Sequence, residues 1–304
     1  MSPLHGIALK LSAVFIFTIM AALIKASSDI VPPGEAVFFR SFFAMPIIIL
    51  WLALRGDLSQ GLKVQRPIAH FWRGLIGVSA MGTGFTALGL LPLPEVTALG
   101  YAAPLLTVIF AAVLLKERLR LFRLSAVALG LVGVVVVLWP RLTLDGLDDA
   151  AALGVACILI SAVLRALAQI HIRRMVASEP TAAIVFWFSM TATLFSLVTI
   201  PFGWVWPGLI GAAQLIGAGL IGGVAQILLT SSYRHAEAAV LAPFDYASIL
   251  FAILFGYFFF DEVPTAMVLI GSAIVMAAGV LIIWRERQLG LQRGKARPKM
   301  SERM

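Results

Sequence analysis

The sequence predicts an all-α integral membrane protein: ten transmembrane helices forming two inverted five-helix repeats. Three observations lead there. Hydrophobic residues fill 61% of the 304 positions and charged residues only 12%. That is about half the charged share of a soluble domain, so the bilayer must act as solvent. The apolar runs do not alternate in twos and are about twenty residues long, the length of a membrane helix. In lipid every backbone N–H and C=O must be paired internally, which selects helices over open strands. Finally, the segment 74–139 recurs without a gap at 219–284.

The repeat carries specific identities. Gly74-Leu75-Ile76-Gly77 falls on Gly219-Leu220-Ile221-Gly222, and Tyr101-Ala102 falls on Tyr246-Ala247. Phe110 meets Phe255, Glu117 meets Glu262 and Trp139 meets Trp284. Alanine matches carry little weight in apolar sequence. A tetrapeptide, a Tyr, a Glu and a Trp in one register indicate an internal duplication.

The spans follow in order at 6–26, 35–54, 69–90, 95–115, 122–139, 150–170, 181–202, 209–231, 238–259 and 265–284. The first is too long for a signal peptide, and Pro32 and Pro33 stand where small cleavage-site residues would be expected, so it is read as a retained helix. Cys157 lies inside a span and excludes an internal disulfide. The loops alternate. Basic clusters follow the second, fourth, sixth and eighth spans: Arg55, Lys63, Arg66 and Arg73; Lys116, Arg118, Arg120 and Arg123; Arg173 and Arg174; Arg234. A basic tail follows the tenth. The other loops are poor in basic residues, and 142–149 holds three aspartates. Basic loops remain in the cytoplasm, so both termini are expected inside a bacterial inner membrane. The net charge of +8 is accounted for by this bias and calls for no nucleic acid.

Five spans per half is an odd number, so the second half enters the membrane upside down. The expected organisation is 1–140, then an inverted 141–285, then a basic tail 286–304. Inverted repeats with a site between them at mid-membrane are a transporter design.

Tyr101-Ala-Ala-Pro104 with Lys116-Glu117-Arg118, and Pro243-Phe-Asp-Tyr246 with Phe260-Asp261-Glu262, resemble the paired domains of EamA-type carriers in the drug/metabolite transporter superfamily. The resemblance runs to about Arg285. It implies ten helices, a central cavity and a small-metabolite substrate. The stretches 36–43, Trp72-Arg73-Gly74-Leu75 and 90–101 are similar to bacterial riboflavin-uptake members, and also to S-adenosylmethionine carriers. Riboflavin is therefore the specific expectation. An S-adenosylmethionine, amino-acid or other metabolite carrier of the same family is the alternative.

Ionisable groups inside a span cost about 2.5–3.5 kcal/mol each on insertion scales, so they mark candidate sites. Arg40, Glu95, Arg165 and Asp245 are such groups, and their heights suggest the pairs Arg40–Glu95 and Arg165–Asp245. The plain alternative is that these pairs only fix helix packing. Asp245 follows Pro243, and a carboxylate in low dielectric can titrate near neutrality. Asp245 and Glu95 are therefore the coupling candidates. Glu237 is a rival at a helix edge. The duplicated Tyr101 and Tyr246, with Gln169 and Gln226, are substrate-binding candidates beside Arg40 and Arg165. A phenol suits a flat aromatic substrate, and an amide suits a heterocycle edge. Each could equally serve helix–helix contact. Phe39, Phe186 and Trp187 could stack on a ring but read more simply as packing.

Other signals are set aside. Gly217, Gly219 and Gly222 satisfy G-x-G-x-x-G but lack the flanking strand, so close helix packing explains them better. His5, His70, His171 and His235 have no metal-ligand spacing on one helix. Without a Walker sequence, ATP-driven pumping by the chain alone is not indicated. No cofactor or metal is called for, and an enzyme is not expected. Membrane lipid is an expected partner, and a homodimer is compatible with this reading. A membrane scaffold is the alternative of another class, but it would need neither inversion nor polar groups at mid-span.

Overall fold

A computed structural model describes residues 3–114, 121–143, 149–175, 178–235 and 242–295. The described residues are helical throughout, apart from turns and short linkers. The helices are α1 (Pro3–Ser27), α2 (Pro33–Leu54), the short α3 (Leu58–Gly61), α4 (Pro67–Leu90), α5 (Leu93–Gly100) and α6 (Ala102–Leu114). Then come α7 (Leu121–Thr143), α8 (Asp149–Met175), α9 (Thr181–Leu197), α10 (Gly208–His235), α11 (Ala247–Phe260) and α12 (Ala266–Lys295). A 3₁₀ segment, Ala242–Tyr246, leads into α11.

Proline sets several helix starts. Pro33, Pro67 and Leu93 after Pro92 open α2, α4 and α5, where the first turn needs no donated N–H. Gly56 and Gly203 leave their helices at φ 67° and 93°, which admits glycine without a Cβ clash. Among the described residues, 4–27, 33–54, 93–114, 149–172 and 208–229 are long and apolar enough to cross a membrane. Shorter apolar helices cover 124–140, 182–197, 244–260 and 266–282. The outward faces carry large apolar side chains: Trp206 is 83% exposed and Phe258 71%. Such a surface has lipid as its natural contact.

The fourth predicted span is not one helix. It breaks at Tyr101, between α5 and α6. Pro104 cannot donate to the carbonyl four residues back, which leaves Gly100 C=O free. The ninth predicted span also changes character at a tyrosine, passing from 3₁₀ to α at Tyr246. Tyr101 and Tyr246 are the two that superpose in the repeat.

Helix neighbours come in pairs. α1 packs on α10 and α4 on α8; α2 touches α10 and α4 touches α9. α6 packs on α8 and α1 on α11, while α2 meets α9 and α7 meets α12. The main core lies where α1, α4, α5, α8, α10 and α11 converge, around Leu91, Leu99, Tyr101, Leu215 and Ile249. Glycines set the closest approaches. A Cβ on Gly219 would stand 2.8 Å from Phe39 C=O, and one on Gly222 2.8 Å from Met20 Sδ. The G-x-G-x-x-G stretch thus seats α10 against α2 and α1.

Candidate functional site

Two polar clusters lie inside the bundle. The first is built on the two helix breaks. The Tyr101 hydroxyl donates to Asp245 C=O and lies in hydrogen-bond contact with Ser248 Oγ. The Tyr101 and Tyr246 rings pack on each other, centroids 4.8 Å apart, and both are buried. The phenols therefore fill the space between them and leave no slot there for a substrate ring. A Cβ on Gly279 would collide with the Tyr246 hydroxyl, so that ring is wedged against α12. Arg165 reaches the same place from α8: its Nη2 lies 3.5 Å from the Gly100 carbonyl that Pro104 frees. Arg165 caps a helix C-terminus, where a cation is favoured. Arg165 and Gln169, one turn apart on α8, are both exposed although they lie mid-span.

Asp245 forms its ion pair with Lys10 of α1, Nζ to Oδ1 2.7 Å, rather than with Arg165. Lys10 is 2% exposed, whereas Asp245 keeps 44% of its side chain accessible. One partner is sealed and the other faces open space. Lys10 escaped the sequence reading, although it is an ionisable group inside the first predicted span.

The second cluster is a small pocket where α2, α9 and α10 meet, lined by Arg40, Ile48, Phe188, Ser189, Gly222 and Gln226. Arg40 is 8% exposed. Its guanidinium lies 5.9 Å from the Phe188 ring centroid, and that of Arg73, from α4, lies 4.0 Å from the same ring. Arg73, counted in sequence as a loop charge, is an interior residue. The suggested Arg40–Glu95 ion pair is not among the described ion pairs.

A third group ties one end of the bundle together. Lys25 Nζ donates to Leu88 C=O at 3.0 Å and Leu91 C=O at 2.8 Å, and pairs with Glu262 Oε1 at 2.9 Å. Glu262 Oε2 accepts from Leu93 N–H at 2.7 Å. These contacts join α1, the α4–α5 turn and the end of α11. Glu117, the repeat equivalent of Glu262, lies outside the described residues, as does Glu237. At the opposite end, Glu179 accepts from the N–H groups of Gln65 at 3.0 Å and Arg66 at 2.6 Å, with His70 Nε2 at 3.4 Å. Burial pushes its carboxyl pKa up, but these backbone donors and His70 pull it below the ordinary range. Among the described residues no three His, Cys, Asp or Glu side chains are grouped to hold a metal.

Apolar helices with large apolar side chains on the outside and polar clusters within define a helical membrane protein. The chain belongs to the EamA-like transporter family, whose model matches residues 4–139 and 152–284. The pseudopaline exporter CntI of Pseudomonas aeruginosa (strain UCBPP-PA14) is 29% identical over 281 residues, 91% of this chain and 95% of that one. The S-adenosylmethionine uptake transporter of Rickettsia prowazekii (strain Madrid E) is 26% identical over 254 residues, 84% of each. A solved structure titled "Crystal structure of protein" aligns with TM-score 0.68 over 93% of this chain and 98% of that one, at 24% identity, and shows the shared fold. The family and these named relatives are transporters of small molecules, not enzymes.

Proposed function

We propose that the chain is a secondary carrier of the bacterial inner membrane that moves a small metabolite by alternating access between two inverted five-helix halves. The observation that carries this reading is the meeting of the interruption at Tyr101 with the 3₁₀-to-α transition at Tyr246. Tyr101 bonds Asp245 across the halves, and the accessible Asp245 sits beside a sealed Lys10. Discontinuous helices at mid-membrane are where secondary carriers place their sites. The neighbour pattern supports inversion. Exchanging the halves turns α1–α10 into α8–α4, α2–α10 into α9–α4, and α1–α11 into α8–α6. The two family matches, 4–139 and 152–284, support the same division.

With the basic loops inside, the Lys25–Glu262 contacts lie at the outer face and close it. Asp245 is the coupling group: it takes a proton when Lys10 swings away and releases it when the pair re-forms. Proteoliposomes test this. Wild-type transport should depend on external pH, and Asp245→Asn should remove that dependence. An unchanged pH profile in Asp245→Asn rules out this role.

Among substrates, the relatives' names favour S-adenosylmethionine over riboflavin, which none of the relatives reported above is named for, and an amino-acid or other metabolite of the family is the alternative. Counterflow with labelled S-adenosylmethionine, amino acids and riboflavin should show saturable exchange of the first or second. Exchange of riboflavin alone would restore the resemblance-based expectation. No exchange of any compound would remove the carrier reading. Relatives are named for both uptake and export, so the imposed gradient sets direction.

A further inference from the structure

We propose that Arg40, with Arg73 behind it on the same aromatic ring, binds a carboxylate group of the transported metabolite in the pocket between α2, α9 and α10. For its place in transport this rests on the carrier reading above.

Charge at this corner is uncompensated. Arg40 Nε, Arg73 Nε and Arg73 Nη1 are all buried and have no hydrogen-bond partner. None of the described ion pairs includes either arginine. A buried cation is tolerated when it is paired, and a lone one is costly. Here two cations share one corner. Phe188 relieves part of the cost, since an aromatic face attracts a cation. One ring serves both guanidiniums, at 4.0 Å and 5.9 Å, and satisfies none of their N–H donors.

Arg40 faces a cavity whose lining does not include Arg73. Arg40 lines it together with Ser189 and Gln226, and the remaining wall, including Ala44, Ile48 and Val185, is apolar. Guanidinium donors meet a carboxylate with short, charge-assisted and often bidentate bonds. A small pocket with an apolar wall suits a carboxylate with two oxygens better than a phosphate with four. The ligand group is therefore a carboxylate; as it stands the cavity holds about 10 Å³, room for about one oxygen atom, so the rest of the metabolite enters only when the helices part. Occupancy would complete an ionic arrangement that the chain leaves half made.

The test uses the purified full-length chain in detergent at fixed ionic strength, with sodium propionate, propionamide and inorganic phosphate as probes. Propionate should raise Tm saturably, propionamide should not, and phosphate should act more weakly. Arg40→Gln and Arg73→Gln should each weaken propionate binding by about tenfold or more, the equivalent of one charge-assisted contact. Their ligand-free Tm should equal or exceed wild type, because each substitution removes an unpaired buried charge. A fall in ligand-free Tm would make the arginines structural and overturn the proposal. So would equal protection by propionamide, or propionate binding unchanged in both variants. Stronger protection by phosphate would overturn the carboxylate assignment. Propionate protection that both variants lose, in a chain that exchanges no metabolite in proteoliposomes, would uphold the anion site and defeat the carrier reading.

Discussion

Glu179 shows how single residues here trade burial against partners. Its carboxylate is held by two backbone N–H groups at the turn before α4. Its folded pKa is depressed below the unfolded carboxylate value of about 4.3. The stabilisation is therefore complete above that value and is lost as pH falls through the folded pKa. Tm measured from pH 7 downward should fall on acidification in wild type. Glu179→Gln should start lower at pH 7 and fall less steeply. Equal slopes would mean that Glu179 is not the titrating group. At this scale the sequence was partly legible. The cost of ionisable groups in a span singled out Arg40, Arg165 and Asp245; Arg40 is buried, Asp245 is half-buried and Arg165 is exposed. The same rule applies to Lys10, and it was missed there because a lysine close to a terminus reads as flanking charge. Arg73 was hidden by its nearness to a basic loop. Pairing was not legible at all. Which cation meets Asp245 depends on how α1 lies against the Tyr246 turn, and no local pattern encodes that.

At the scale of elements, helix lengths and directions follow from apolar runs and proline positions, and these were readable. The break in the fourth span was readable in principle. Pro104 leaves one carbonyl free, and Gly100 supplies a position with no side chain, where a Cβ would stand 2.9 Å from Arg165 Nη2. Against a run of uniform apolarity, that signal is one residue deep. The packing of α7 on α12 depends on glycine. A Cβ on Gly271 would stand 2.6 Å from Gly133 C=O, and one on Gly133 2.9 Å from Gly271 C=O. Close backbone approach of this kind is how membrane helices associate. Gly271→Leu should destabilise the protein by about 1–3 kcal/mol, the usual cost of overpacking, read as a lower Tm in detergent. Gly82, whose added Cβ meets nothing within 4 Å, is the control: Gly82→Ala should leave Tm almost unchanged.

At the scale of the whole molecule, contacts of Lys25 tie one face together in front of a polar interior. Lys25 holds the α4–α5 turn and the end of α11 through three oxygens. Lys25→Ala should free that face. In proteoliposomes it should raise substrate-independent leak or shift the resting state outward, read as faster labelling from outside. Labelling no faster than wild type would show that the contacts are not a gate. The proposed duplication rests on a tetrapeptide and three large residues, and the proposed inversion on the sign of the loops. The substrate was not legible in the same way, because the repeat records architecture, while the polar group Gln226 in the Arg40 pocket stands where the first half has Met81. Cys157 is the chain's single cysteine, so Cys157→Ser provides a thiol-free background. In that background Gln226→Cys places one thiol in the Arg40 pocket. Its reaction with a membrane-impermeant thiol reagent, applied separately to each face of oriented vesicles, tests alternating access most directly. The account predicts labelling from both faces, with the outer rate rising when Lys25→Ala is added. Labelling from one face only, unchanged by Lys25→Ala, would contradict it.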